Sequence, residues 1–286
     1  MKLRTINLGT LDSTNRHARA EIESGRLRAD EPAAFVADRQ SGGVGRFARA
    51  WSSPAGGLWY TLAWPAHRNA LDGLGLRIGV ACVEFVRGLL PENARSKVRL
   101  KWPNDVVVDG KKVLGVLCEA VRGTSPSSGW ERMGRLTGGG SEQPPPATDL
   151  CRFAAAEGAR AADANPLWIL IGVGLNTNFD VVELPSDLHA TATTLRSALG
   201  VTIDLSAAAD DLGARLTRVL SESGLAPEHL SAARAMLDGI GKPARVSLPT
   251  GEKIDATLIG LDSDGHAVFE QDGSRWAAPG SVEITE

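Results

Sequence analysis

The sequence predicts the α+β fold class in two parts: a mixed-sheet domain over residues 1–238 and a small β-barrel over residues 241–286. Three observations predict it. β-forming runs and helical periodicities interleave through about the first 220 residues. From Lys242 onward the pattern changes to short alternating strands parted by Gly turns. The length of 286 residues, at about 150 residues per domain, allows about two domains.

The elements follow in chain order. Ser13 reads as a helix N-cap ahead of TNRHARAEIES, which Gly25 stops. AAFVAD (33–38) reads as a buried strand, and a Gly- and Arg-rich loop runs from Arg39 to Trp51. GLWYTLAW (57–64) is a second strand, broken by Pro65. Residues 74–90 place Leu76, Val80, Val83, Val86 and Leu90 at helical spacing. VRLKW (98–102) and VVV (106–108) are strand-like, and Asp109-Gly110 turns the chain into the partner strand KVLGVLCEAV (112–121). Residues 122–147 are crowded with Gly and Pro and can bury little apolar surface. An Ala-rich stretch follows as a weak helix interrupted by Gly158, and LWILIGVG (167–174) is a buried strand. LSAAADDLGARLTRVL (205–220) is an amphipathic helix with Asp204 or Ser206 at its start. The turns Asp264-Gly265 and Asp272-Gly273 then punctuate the small β unit.

Composition narrows the function classes. With 31 basic and 34 acidic residues the net charge is −3, which argues against a coat of basic charge for nucleic acid or membrane. It leaves room for a local cationic site. Cys82, Cys118 and Cys151 are few, odd in number and unpatterned, so no disulfide framework or zinc ligand set is expected. They fit a cytoplasmic protein. The N-terminus lacks a signal-peptide run, and no stretch of about 18 apolar residues occurs.

Four segments carry candidate chemistry. Ser13-Thr14-Asn15 places hydroxyl and amide groups beside a helix start, where a plain capping role competes with ligand binding. The loop Arg39–Trp51 puts Gly42, Gly43 and Gly45 within four positions, so backbone N–H groups can approach an anion. Arg46 and Arg49 add donor forks suited to phosphate or carboxylate. It is neither a Walker A loop nor a dinucleotide fingerprint. Lys101-Trp102-Pro103-Asn104-Asp105 precedes the hairpin that returns Lys111 and Lys112 beside Gly115. Ile171-Gly172-Val173-Gly174-Leu175-Asn176 ends a buried strand in spaced glycines with an amide at its rim. Surface loop, solvated turn and tight strand end are the bland alternatives for the last three.

Together these segments resemble the biotin–protein ligase family: the STN triplet, QxxGxGR followed by RxWxSPxGGLW, KWPND, KxxGxLxE and IGxGxN. The resemblance covers nearly the whole chain apart from an insertion at about residues 122–165, and the C-terminal β unit is similar to the family's SH3-like domain. It implies an enzyme that activates biotin with Mg-ATP as biotinyl-5′-AMP. The biotin then passes to a lysine of the biotin carboxyl carrier protein domain of a carboxylase. It implies Arg46 and Lys112 as the catalytic cations, with Lys111 the weaker candidate. Ser13, Thr14, Asn15, Gln40, Gly43, Val44, Gly45, Gly115, Leu117 and Gly174 would complete the biotin site around them. Arg46, Arg49, Trp51, Lys101, Asn104 and Asn176 would serve ATP, and the metal ligands stay unassigned.

Two departures stand out. Val44 and Phe47 occupy positions where the family commonly has Arg, and the Gly/Pro-rich insertion replaces a short connection. The kept Arg46 and Arg49 favour a loop that works through its backbone at Val44. A lipoate–protein ligase is the nearest enzyme alternative, and a non-catalytic biotin sensor the alternative of another class. Some ligases of this family carry an N-terminal helix-turn-helix domain and repress transcription. The STN triplet begins at residue 13, so no such domain and no nucleic-acid partner is expected. Some members form homodimers, a state that no residue here specifies.

Overall fold

The computed structural model describes residues 3–28, 31–65, 71–123, 167–248, 250–278 and 282–285. The weak Ala-rich helix, Cys151 and nearly all of the insertion lie outside the described residues.

Strands β1 (Arg4–Asn7), β3 (Ala33–Ala37), β5 (Leu58–Pro65), β6 (Val98–Lys101), β7 (Asp105–Val108), β8 (Lys111–Arg122) and β9 (Leu167–Leu175) form one sheet, ordered β1-β3-β5-β9-β8-β7-β6. The β1–β3 pair is parallel and all the others are antiparallel, so the sheet is mixed. Two short strands, β2 (Thr10–Leu11) and β4 (Arg39–Gln40), pair beside it. Arg122 stands opposite Leu167, so the intervening chain leaves and returns at the same end of the sheet.

Both faces of this sheet are apolar, which is why its central strands read as continuous hydrophobic runs. Side chains alternate between the faces. Ala34, Tyr60, Leu62, Val116, Cys118, Ile169, Ile171 and Val173 join the main core. Helices α2 (Leu74–Gly88), α5 (Leu205–Ser221) and α6 (Pro227–Met236) contribute to the same core. Ala33, Phe35, Ala63 and Leu170 point the other way and pack with Ala18 and Ile22 of α1 (Thr14–Glu23). Two short helices, α3 (Glu92–Arg95) and α4 (Leu195–Leu199), complete the described set. The expected caps are present: the Ser13 Oγ accepts from the Arg16 N–H, and Asp204 Oδ1 accepts from the Ser206 and Ala207 N–H groups.

From Pro243 the chain forms a five-stranded antiparallel sheet, ordered β13-β12-β11-β10-β14. Its strands are β10 (Pro243–Ser247), β11 (Lys253–Leu261), β12 (Ala267–Gln271), β13 (Ser274–Ala278) and β14 (Glu283–Thr285). Its buried residues Val246, Leu258, Phe269 and Val282 belong to the same continuous core as α2 and α6. The Trp102 indole N–H donates to the Gly265 carbonyl at 2.9 Å, tying the two sheets together. Among the described residues no helix is long and apolar enough to cross a membrane.

Candidate active site

A cavity of ≈ 630 Å³ opens on the α1 face of the large sheet. Period-two alternation explains its floor. Val116 and Cys118 face the main core, so Gly115, Leu117 and Glu119 face the opposite way. Ile171 and Val173 likewise leave Gly172 and Gly174 on that opposite face. The missing side chains let Trp51, Lys112 and Asn15 pack down onto the floor. A Cβ on Gly174 would lie 2.4 Å from Trp51 Nε1, and one on Gly115 would lie 2.9 Å from Trp51 Cζ3 and Lys112 Cε. A Cβ on Gly172 would stand 2.3 Å from Asn15 Oδ1.

A β-bulge aims Lys112. The β7–β8 register shifts between Val106 and Val107, with Leu114 opposite Val106 and Lys112 opposite Val107. The extra residue turns Lys112 to the face of Gly115. Its Nζ donates to Asp105 Oδ2 at 2.6 Å and lies 5.1 Å from the Trp51 ring centroid. Lys111 instead donates to the His189 carbonyl at the exposed turn.

The Gly-rich loop folds back on itself over the cavity. The Gly45 N–H donates to the Arg49 carbonyl at 2.8 Å, and the Trp51 N–H donates to the Gly43 carbonyl at 2.9 Å. Gly43 is needed because a Cβ there would sit 2.6 Å from the Trp51 carbonyl oxygen. Phe47 and Ala48 take left-handed backbone, φ 57 and 56. Two cations lie over the Phe47 ring: the Arg46 guanidinium at 5.1 Å and that of Arg49 at 5.9 Å from its centroid. Arg46 Nη2 donates to the Val282 carbonyl at 3.3 Å, so the C-terminal sheet reaches the cavity mouth, where Val282 and Ile284 also line it.

Of the residues chosen from sequence, Ser13, Thr14, Asn15, Gln40, Val44, Gly45, Arg46, Arg49, Trp51, Lys101, Lys112, Gly115, Leu117, Gly174 and Asn176 line this one cavity. Gly43 and Asn104 do not. Gly43 closes the loop behind it, and Asn104 is buried with its Nδ2 donating to the Val116 carbonyl. Sequence reasoning gave no role to Asp105, Thr61 or Glu119, and it quoted Gly172 only as one of the spaced glycines of its strand. Asp105 and Glu119 were quoted within KWPND and KxxGxLxE, where a carboxylate inside a strand-forming segment was the available signal. Burial pushes the Cys118 thiol up to about 12 and the Cys82 thiol upward as well, so neither is a thiolate at neutral pH.

A mixed sheet whose glycine face is roofed by an arginine-bearing loop, with a lysine aimed inward by a bulge, has the make-up of a site for an anionic small ligand. A family model described as the biotin/lipoate A/B protein ligase family matches residues 9–129. The bifunctional ligase/repressor BirA of Salmonella typhimurium is 31% identical over 273 residues, spanning 93% of this chain and 69% of the relative. The biotin–[acetyl-CoA-carboxylase] ligase of Mycobacterium tuberculosis is 25% identical over 274 residues, 91% of this chain and 81% of its own. The biotin protein ligase from Aquifex aeolicus, solved in complex with biotin and ATP, superposes with a TM-score of 0.63 at 22% identity, covering 99% and 98% of the two chains. The chain belongs to the biotin–protein ligase family.

Proposed function

We propose that this chain activates biotin with ATP as biotinyl-5′-AMP and transfers the biotin to one lysine of a biotin carboxyl carrier protein domain. One observation carries the reading: a glycine-floored slot shares its cavity with Arg46 and Lys112, two cations from separate elements. A biotin carboxylate and an ATP α-phosphate repel each other, and fixed cations offset that repulsion and align the pair. The carboxylate oxygen attacks the α-phosphorus and pyrophosphate leaves. The neutral amine of the carrier lysine then attacks the acyl carbon, AMP leaves, and the nitrogen gives up one proton to solvent as the amide forms.

Gly115, Leu117 and Gly174 form the slot for the ring and chain of biotin, with Ser13, Thr14, Asn15 and Gln40 at its polar end. Arg49, Trp51, Lys101 and Asn176 serve the nucleotide, and the Arg46–Trp51 loop shields the mixed anhydride from water. Val44 contributes through its backbone, in keeping with its bridge to Ala50 within the folded loop. The residues present also fit a magnesium ion. Asn104, Asp105 and Asn176 each carry a buried Oδ1 with no hydrogen-bond partner, and oxygen donors suit this cation. Asp105 and the rim amide of Asn176 would hold it, and it would neutralise triphosphate charge. We read residues 1–238 and 241–286 as two domains, the second SH3-like; the bulge between Leu258 and Gly260 supplies the bend that a barrel needs.

Biotin-dependent ATP–pyrophosphate exchange, followed by transfer of labelled biotin to a purified carrier domain, tests the reading. Both activities are expected. Failure of biotin to support exchange overturns it, and equal support by lipoic acid would move the chain to lipoate ligation.

A further inference from the structure

A continuous run of hydrogen bonds passes beneath the cavity and meets it at Thr14, Asn15 and Gln40. Arg19 Nη2 donates to Glu119 Oε1 at 3.0 Å, and Asn15 Nδ2 donates to Glu119 Oε2 at 2.8 Å. Asn15 Oδ1 lies 2.5 Å from the Thr61 hydroxyl, which lies 2.7 Å from that of Thr14. The Thr14 hydroxyl is 3.1 Å from Gln40 Oε1, which accepts from the Thr14 N–H at 2.8 Å. Gln40 Nε2 donates to the Ser53 hydroxyl at 2.9 Å. Thr61 is fully buried, Thr14 is 3% and Asn15 8% exposed. Arg19 and Glu119 are 24% and 26% exposed at the outer end.

The order of protons along this run follows from one group. A carboxylate only accepts. Glu119 therefore turns the amide nitrogen of Asn15 toward itself and leaves Asn15 Oδ1 facing Thr61. Asn15 Oδ1 cannot donate, so the single proton of Thr61 goes to it. The Thr61 oxygen then takes the proton of Thr14. Gln40 gives one Nε2 proton to Ser53, and the Thr14 N–H fixes its Oε1 on the side of Thr14. What the Thr14 hydroxyl keeps toward the cavity is lone pairs, and Gln40 Oε1 keeps one beside the lone pair that takes the Thr14 N–H.

We propose that Glu119, held by Arg19, is a positioning residue that fixes the direction of this run and thereby selects a ligand that brings N–H donors. The inference rests on the biotin reading and deepens it. A cyclic urea supplies two N–H groups to the lone pairs that Thr14 Oγ and Gln40 Oε1 keep. A dithiolane ring, as in lipoic acid, supplies none and leaves them unpaired, and a site built around a substrate N–H rejects such analogues strongly. Gly172 belongs to the device, because any side chain there would displace the Asn15 amide that Glu119 orients.

Titration calorimetry of the full chain with biotin, lipoic acid and ATP tests this in Glu119→Gln, Thr61→Val and Thr61→Ser. A glutamine can donate as well as accept, so the direction is no longer fixed. Glu119→Gln is expected to weaken biotin about tenfold or more while ATP stays within twofold, and the preference for biotin over lipoic acid shrinks. Thr61→Val, which removes the relaying proton, should do the same, and Thr61→Ser, which keeps it, should retain most of the affinity. Biotin affinity within twofold of wild type in Glu119→Gln overturns the proposal, as does equal weakening of biotin, lipoic acid and ATP. If Glu119→Gln does not fold, the Thr61 pair decides: valine and serine behaving alike overturns it. Wild-type protein that fails to bind biotin at all would instead sink the biotin reading.

Discussion

Lys112 is the residue on which the chemistry concentrates. Its ammonium is aimed into the cavity by the bulge, and it is held at 2.6 Å by Asp105 while remaining 31% exposed. Lys112→Gln keeps length and hydrogen bonding but loses the charge. It is expected to slow biotin-dependent ATP–pyrophosphate exchange by about two to three orders of magnitude, with circular dichroism unchanged. Exchange near the wild-type rate would remove Lys112 from the transition state. Gly174→Ala makes the complementary test of space. Its Cβ would meet Trp51 Nε1 at 2.4 Å within a closed strand, so the indole must leave the floor, costing about 1–3 kcal/mol, and the tryptophan emission should shift red. The glycines of IGxGxN and KxxGxLxE were legible because a spacing of two puts them on one sheet face. Thr61 was not. Nothing in GLWYTLAW says that strand β5 lies beside β9 with Thr61 opposite Gly172, and only that register brings its hydroxyl to Asn15.

Elements were legible where a period was long enough to count. Helices α2 and α5 and strands β5, β8 and β9 fell close to their expected ranges, since each buries a full apolar stripe or run. Strands β1, β2 and β4 were not read, because β1 is mostly exposed and the other two span two residues each. Helix α6 hid behind Pro227, which stands at its first turn, where proline is tolerated. Elements also explain Arg77, a charged residue of α2 that is 1% exposed. Its Nη2 donates to the carbonyls of Val219 and Glu222 at the C-terminal end of α5, the negative end of that helix. Arg77→Met leaves both carbonyls without this partner and should lower stability by about 3 kcal/mol, read as a lower urea midpoint at unchanged slope. The turn from β11 to β12 carries a pH dependence. Burial raises the Asp262 pKa, but the N–H groups of His266 and Asp264 and the His266 ring outweigh it and hold the carboxyl below its usual value. A pKa lowered in the folded state contributes stability that is complete above the unfolded value of about 3.9 and is lost as pH falls through the folded one. Asp262→Ala should therefore reduce stability at pH 7 and flatten the acid limb of the unfolding profile; an unchanged limb would remove this turn from the acid response.

At the scale of the whole molecule, the break in pattern near residue 241 was plain in the sequence, but the contact across it was not. Periodicity shows where each sheet keeps its own apolar face and is silent on what a turn glycine touches. Gly265, read as a turn residue, is also a contact. A Cβ there would lie 2.8 Å from Leu76 Cδ2 and 3.1 Å from Leu225 Cδ2, so α2 and the residues just before α6 press on the turn itself. The Trp102 indole N–H reaches the same Gly265 carbonyl, and Arg234 Nη2 donates to the carbonyls of Leu261 and Asp262. Arg46, from the loop over the cavity, donates to Val282. Two regions that share one apolar core and exchange polar contacts should unfold together. Scanning calorimetry of the full chain is expected to give one transition, with calorimetric and van't Hoff enthalpies in agreement. Trp102→Phe, which deletes the indole donor and leaves the Gly265 carbonyl unpaired, should move that single transition down by a few degrees. It should also weaken ATP–pyrophosphate exchange through the loosened Arg46 contact. Two resolved transitions in the wild type, or a Trp102→Phe variant in which only the smaller of two transitions moves, would show that the C-terminal sheet folds on its own and that the cavity mouth does not depend on it.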